Sequence, residues 1–322
     1  MPEGNINNSN ILIIGRGQDG VLLEKLLSIR NINNFTFSRL GFYKNGKFIN
    51  HVSFNINEIQ QIILTCGVTK IFYTSGVQIG SNFSDSSDKD NFYRVNSIIP
   101  LSIIDFVNSN PYIPFFDFIY FSSCYVFDNQ KEITIDTKKI LDDDYKKSKN
   151  DFLIQVSNLR LRPGIKVTNL YLFPHDSPLK QKSLTNRIIN SVKRGEKGLK
   201  INLTKENNLI YVECAYALVS AIIDYSQKEQ KESLVERFIG GQNSFSLYSF
   251  LTFLLNYYGI DKAPDDFFDF NNKFINPHRL KNEESEFIVP ISITYSKREF
   301  WNRLIFTKRQ YLKNLQYNFK DN

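Results

Sequence analysis

Residues 10–20 read Asn-Ile-Leu-Ile-Ile-Gly-Arg-Gly-Gln-Asp-Gly, and no other stretch restricts the fold as much. Ile11 to Ile14 is a short apolar run of strand length. Gly15, Gly17 and Gly20 follow at Gly-x-Gly-x-x-Gly spacing, and Val21 to Leu27 then carries apolar residues at helical intervals. A strand, a glycine turn and a helix are the setting in which glycines let a dinucleotide pyrophosphate approach the backbone at a helix N-terminus. Gln18 and Asp19 fill the turn. The expectation is a Rossmann-type, doubly wound α/β sheet, and the alternative is a tight strand-to-helix turn with no ligand.

Downstream residues extend that frame. Asn34 to Ser38 reads as a second strand, ending in Ser38-Arg39. A hydroxyl and an arginine there suit a ribose 2′-phosphate better than a bare diol, so the expected cofactor is NADP, with NAD less favoured. Glu58 to Leu64 reads as a helix, Lys70 to Thr74 as a strand, Gly76 to Asp90 as a loop and Phe92 to Val107 as one helix carrying Tyr93 and Asn96. Phe115 to Ser123 is apolar and aromatic, which predicts a central strand ending at Ser122-Ser123. Ligands of parallel sheets lie beyond the carboxyl ends of strands, which puts Ser123 at the site.

Tyr145 and Lys149 stand four apart at the start of a helix-compatible stretch, and so on one helix face. An ammonium beside a phenol favours the phenolate, and a phenol so tuned exchanges a proton with an alcohol. The lysine can also reach a dinucleotide ribose. Against this stands an exposed helix with solvated lysines. Ser123, Tyr145 and Lys149 in this order, behind a dinucleotide turn, favour the catalytic reading.

Further elements are expected at Leu170 to Phe173, Lys200 to Leu203 and Arg237 to Ile239 as strands, and at Leu184 to Lys193, Glu213 to Tyr225 and Leu247 to Tyr258 as helices. The tail from Ala263 reads as irregular. Residues 8–170, with later segments returning, would form the NADP-binding domain, and 171–322 a smaller α/β lobe for substrate. With 322 residues, 42% of them hydrophobic, there is material for a large core and a second lobe. The net charge of +7 is spread without a long basic run, which suits an anionic small molecule and not nucleic acid. Cys66, Cys124 and Cys214 are widely spaced and odd in number, so neither a disulfide framework nor a metal site is expected. No apolar run is long enough for a membrane span, and the expected location is the cytoplasm.

The chain resembles the extended short-chain dehydrogenase/reductases, and within them the GDP-mannose 4,6-dehydratase family. Gly17-Gln18-Asp19-Gly20, Tyr93-Arg94-Val95-Asn96, Phe118 to Ser123, Phe173-Pro174-His175-Asp176-Ser177-Pro178, Thr185-Asn186-Arg187-Ile188 and the segment from Asn276 to Glu284 carry the likeness. The resemblance implies a homodimer or homotetramer acting on a GDP-sugar or another nucleotide sugar. It implies catalysis by Ser123, Tyr145 and Lys149, cofactor contacts that include His175, and substrate contacts from Arg187, Arg279, Lys281 and Glu284. The implied reaction is oxidation at C4, loss of water across C5 and C6, and hydride return to C6. Departures are also on view. The glycine loop is one residue shorter, the acidic pair is missing near His51 to Phe54, and Lys281 replaces an arginine. Most tellingly, Tyr125 stands where relatives carry the glutamate base. A phenol of ordinary pKa near 10 is a poor base at neutral pH. Three readings therefore stay open: a dehydratase with Tyr125 as an unusual base, a nucleotide-sugar reductase or epimerase, and a non-catalytic nucleotide-binding subunit.

Overall fold

The computed structural model describes residues 10–76, 87–127, 133–173, 175–180, 183–201, 209–210, 213–228, 230–240, 245–270, 287–288, 301, 304–306 and 308–317. The chain divides into two compact units. The larger takes residues up to 128 with 137–172 and 222–238, and the other takes 129–136, 173–221 and 239–322.

The larger unit is built on a mostly parallel sheet. β1 (Asn10–Ile14) leads to helix α1 (Gln18–Ile29), and β2 (Asn34–Ser38) lies parallel to β1. β5 (Val68–Tyr73) lies on the other side of β1, followed outward by β6 (Phe116–Ser123), β7 (Ile165–Leu172) and the strand Leu234–Ile239. These central strands are buried along most of their length, as expected where helices cover both faces of a parallel sheet. Phe37, Phe72, Phe116, Phe118, Tyr73, Tyr120 and Phe152 are all fully buried in this unit. Each such aromatic removed from water contributes on the order of 2–3 kcal/mol.

Beyond β2 the chain departs from double winding. It turns straight back into β3 (Gly41–Lys44) and then β4 (Lys47–Asn50), both antiparallel, so the sheet ends in a hairpin. The turn between them is Asn45-Gly46, with φ of 47° and 78°. Asn-Gly is the pair that tolerates positive φ at both central positions of a tight hairpin. Asn45 also ties the turn to β2, its side-chain oxygen accepting from Asn34 N at 2.9 Å and its own N–H donating to Asn34 O at 2.8 Å.

Helix α2 (Ile56–Thr65) is capped by Asn55, whose side chain accepts from Glu58 N. The expected single helix over Phe92 to Val107 is three pieces: α3 (Ser87–Tyr93), a π-helical turn (Arg94–Ile98) and α4 (Ile99–Ser109). The last residues of the expected loop, Ser87 to Asp90, are thus helical. Pro100 explains the break. It has no N–H to give Asn96 O, and its ring crowds that carbonyl in a regular α-helix. Ile99 sends its N–H back to Arg94 O instead, one residue further than an α-helix would.

The second unit contains short strand pairs. His175–Asp176 runs parallel to Glu213–Cys214, Leu199–Ile201 parallel to Phe268–Phe270, and Leu209–Ile210 antiparallel to Phe245–Ser246. Helix α6 (Leu184–Lys193) starts at Ser183, whose hydroxyl accepts from Asn186 N at 3.1 Å. Glu213 and Cys214, expected to open a helix, form a strand before the helix Ala215–Ser226. The tail from Ala263 is not all irregular, since Pro264–Phe267 and Lys308–Tyr317 are helical. Among the described residues no helix is long and apolar enough to cross a membrane.

Candidate active site

The glycine turn has the shape that a phosphate cradle needs. Gly15 sits at φ +108°, and a β-carbon on Gly20 would lie 2.0 Å from Gly15 O. A β-carbon on Gly17 would meet nothing within 4 Å, so the backbone there is open to a ligand. Gly17 is the N-cap of α1 and offers no side-chain cap, so no side chain from that position covers the helix's first N–H groups. Open backbone and an uncapped helix end fit a dinucleotide pyrophosphate. Gln18 and Asp19 occupy the first turn, where Gln18 Nε2 donates to Asp19 Oδ1 at 3.3 Å. Arg16 turns away from the turn: both its Nε and Nη2 bond the Glu24 carboxylate, and its guanidinium stacks 3.9 Å over Tyr43.

At the end of β2 the two residues expected at the ribose differ in state. Ser38 is buried, its hydroxyl accepting from Leu40 N at 3.2 Å and donating to Gly41 O at 3.4 Å. It is a residue of the turn between β2 and β3, already engaged. Arg39 is exposed and in no ion pair among the described residues.

β6 delivers Ser123, and helix α5 (Asp144–Ser157) delivers Tyr145 and Lys149. The helix begins one residue ahead of Tyr145 because Asp143 caps it, accepting from Lys146 N at 2.7 Å. The three lysines of this stretch have different fates. Lys146 pairs with Asp142 at 2.6 Å, Lys147 is exposed, and Lys149 is buried. The i, i+4 spacing thus selects the one lysine that faces the sheet. Tyr145 is half-buried beside Phe92, ring centroids 6.3 Å apart, and the Ser123 side chain is the group that favours its phenolate. Ser123 Oγ also accepts from Tyr125 N at 3.3 Å.

Electrostatics depart from the sequence expectation. Burial pushes the Tyr145 phenol up to about 12, with only the Ser123 hydroxyl acting to lower it. Burial brings the Lys149 ammonium down to about 7. Lys149 Nζ donates to Phe121 O at 2.9 Å and lies 4.6 Å from the Tyr120 ring centroid. Desolvation outweighs the mutual attraction that spacing alone suggested. Tyr125 is 47% exposed. Burial of its hydroxyl end, then Cys124 and Tyr145, raise its phenol well above the ordinary value, and no cation among the described residues pulls it down.

Asn96, on the π-helical turn, joins this group. Its Nδ2 donates to Ser148 Oγ at 3.0 Å, and Ser148 Oγ donates to Tyr145 O at 2.9 Å. Asn96 Oδ1 is buried with no hydrogen-bond partner among the described residues. Both it and Lys149 Nζ lie within 4 Å of the β-carbon position of Gly76. The sequence marked Asn96 but not Tyr73 of β5 and Tyr120 of β6, which donate to the backbone of this turn from more than twenty residues away in the chain.

In the second unit, His175 Nδ1 bonds Phe173 O at 2.7 Å, a local contact two residues back along the chain. The adjacent Asp176 is buried, accepting from Ser177 N at 2.8 Å. Arg187 is exposed on α6. Arg279, Lys281 and Glu284 lie outside the described residues.

Residues 11–235 match the model of the NAD dependent epimerase/dehydratase family. The chain belongs to this family. Solved structures share the fold. A dTDP-glucose 4,6-dehydratase from Bacillus anthracis str. Ames in complex with NAD is 17% identical, with TM-score 0.66 over 98% of this chain and 97% of that one. A UDP-glucose 4-epimerase from Thermotoga maritima with UDP-glucose is 14% identical, with TM-score 0.71 over 95% and 99%. A UDP-glucuronic acid 4-epimerase from Bacillus cereus, in complex with UDP-glucuronic acid and NAD, gives the same identity, coverage and TM-score. No curated protein matches this chain.

Proposed function

We propose that this protein is a nicotinamide-dependent enzyme that moves a hydride and a proton at C4 of a nucleotide sugar. The observation that carries the reading is Ser123 at the end of β6 together with Tyr145 and Lys149 one helical turn apart on α5, the Ser123 hydroxyl acting to lower the Tyr145 phenol. A bound nicotinamide supplies the hydride exchange. Gly15, Gly17, Gly20 and the N-terminus of α1 would hold its pyrophosphate, and Arg39 favours the 2′-phosphorylated form. Ser123 orients the sugar oxygen, and Tyr145 gives or takes its proton. A phenol near 12 keeps its proton at neutral pH, which suits donation to a 4-keto oxygen. In the oxidative direction, positive charge near the phenol would lower it.

A GDP-mannose 4,6-dehydratase reaction is the second reading. It is supported by the motif likeness from Gly17-Gln18-Asp19-Gly20 to His175-Asp176-Ser177-Pro178. It requires a base for the C5 proton, and Tyr125 is held protonated. Reversible chemistry at C4, as in a reductase or epimerase, needs no such base.

The deciding experiment gives the protein a 4-keto nucleotide sugar with NADPH or NADH, and separately GDP-mannose or UDP-glucose with NADP or NAD. Consumption of reduced cofactor, or a C4 epimer without mass change, is the expected result. Loss of one water from GDP-mannose would install the dehydratase reading instead. Cofactor binding with no turnover of any of these would overturn both and leave a nucleotide-binding subunit.

A further inference from the structure

Two carbonyls in the π-helical turn lack the helical donors they would normally have. Pro100 has no N–H for Asn96 O, and Ile99 gives its own N–H to Arg94 O, which leaves Val95 O. Buried backbone acceptors need partners. Two fully buried tyrosines supply them from the sheet: Tyr73 of β5 donates to Val95 O and Tyr120 of β6 to Asn96 O, each at 2.6 Å. The rings stack on one another with centroids 5.7 Å apart, and Phe152 of α5 stacks on Tyr120 at 4.1 Å.

Tyr120 has a second use. Its ring is the surface over which Lys149 Nζ lies, at 4.6 Å. The same residue therefore touches the turn that carries Asn96 through its hydroxyl and the buried lysine through its face. The side chain of Asn96 then reaches α5 through Ser148 Oγ, which bonds the carbonyl of Tyr145.

We infer that Tyr120 is a positioning residue: with Tyr73 and Pro100 it fixes the π-helical turn so that Asn96 and Lys149 are set for the chemistry of Tyr145. The inference rests on the proposed hydride and proton transfer at C4, because only that reaction gives Lys149 and Asn96 a task. The three residues divide the labour. Pro100 frees the carbonyl, the Tyr120 hydroxyl captures it, and the Tyr120 ring seats the ammonium. Tyr73 steadies the neighbouring carbonyl and touches neither Asn96 nor Lys149 in any described contact.

The test uses Tyr120→Phe, Tyr73→Phe and the double variant Tyr120→Phe/Pro100→Ala in the full chain. Tyr120→Phe keeps the ring under Lys149 and removes the hydroxyl from Asn96 O. In the double variant, Pro100→Ala restores a backbone N–H that can serve Asn96 O as in an ordinary helix. The carbonyl is then satisfied, but the turn is straightened. Two readouts are taken with Tm. One is the pH dependence of Lys149 labelling by an amine-selective reagent, followed by mass spectrometry, which needs no substrate. The other is kcat and KM for C4 reduction.

For Tyr120→Phe the expectation is a displaced Lys149 titration midpoint and a kcat lower by roughly ten- to a hundredfold with KM little changed. Tyr73→Phe should lower Tm with a smaller effect on both. The double variant should recover Tm without recovering the midpoint or kcat. A Tyr120→Phe protein that loses Tm alone, with Lys149 labelling unmoved, would overturn the positioning role. So would full recovery of the midpoint in the double variant. If the wild-type chain neither reduces a 4-keto sugar nor forms a C4 epimer, the functional reading fails by itself, and the labelling arm still decides whether Tyr120 sets Lys149.

Discussion

A β-carbon on Gly20 would stand 2.0 Å from the carbonyl oxygen of Gly15, whereas one on Gly17 would touch nothing. The two glycines thus serve different purposes. Gly20 lets α1 close onto the end of β1, and Gly17 leaves room for a ligand. Gly20→Ala forces backbone apart and should cost on the order of 1–3 kcal/mol of stability. Gly17→Ala is free of strain at φ −72° and should leave stability within about 0.5 kcal/mol. It should nevertheless weaken dinucleotide binding. Thermal unfolding and calorimetric titration with NADP and NAD measure both effects. A Gly17→Ala protein that binds with unchanged affinity would remove the turn from the cofactor site.

Lys149 carries a second prediction, about pH. Its folded-state pKa, about 7, lies below the ordinary 10.5. The unfolded chain therefore holds more protons between these values, and stability from this group rises with pH across that window. Below about pH 7 both states are protonated and the full cost of the buried charge is present. A shift of this size corresponds to about 5 kcal/mol. Lys149→Met should accordingly raise Tm at pH 6, and the gain should shrink as pH rises from 7 towards 10. The same variant should lose C4 redox activity. Urea unfolding at pH 6, 8 and 9.5 checks the sign. A Lys149→Met chain less stable than wild type at pH 6 would show that the bond to Phe121 O and the ring contact outweigh desolvation.

The proposed preference for NADP rests on Arg39. With Ser38 committed to the turn between β2 and β3, Arg39 is an exposed cation at the end of β2, where the proposed NADP complex would carry its 2′-phosphate. A charged hydrogen bond contributes roughly 1.5–3 kcal/mol. Arg39→Ser should therefore weaken NADP binding by tenfold or more and leave NAD binding nearly unchanged. The ratio of the two dissociation constants is the readout. Equal losses for both cofactors, or none, would take the adenosine phosphate away from Arg39.

What could be read in the chain was local. The strand, the glycine spacing, the burial of β6 and the Tyr145–Lys149 interval all lie within short windows, and short-range sterics and periodicity govern them. The hairpin of β3 and β4 was legible too, since Asn45-Gly46 marks it. A doubly wound sheet would instead carry the chain from β2 into a helix, and the expected elements leave the stretch between Ser38 and Glu58 unassigned. The π-helical turn had a cue in Pro100, but a proline near a helix start usually opens a new helix and does not demand outside donors. That Tyr73 and Tyr120 supply those donors depends on sheet packing across more than twenty residues of chain. The raised Tyr145 phenol likewise follows from burial, which spacing cannot report.

Arg162 offers a prediction far from the glycine turn. Its Nη2 donates to Val107 O at 2.9 Å, to Asn110 O at 2.7 Å and to Ile113 O, and its Nε donates to Asn108 O at 3.0 Å. Its backbone N–H is also taken, by Asn108 Oδ1 at 2.9 Å. One guanidinium thus closes the C-terminal end of α4 and the turn that leads into β6, the strand carrying Ser123. A lysine has no planar fork and cannot serve carbonyls in several directions. Arg162→Lys and Arg162→Met should therefore both destabilise, by about 2–4 kcal/mol, through carbonyls left without donors. Because α4 continues from the π-helical turn, loosening this end should also raise hydrogen exchange at Leu101 to Val107 while the amides of β1 stay protected. If Arg162→Lys unfolds at the wild-type urea midpoint, a lysine suffices and the multiple bonds of the guanidinium add nothing to stability.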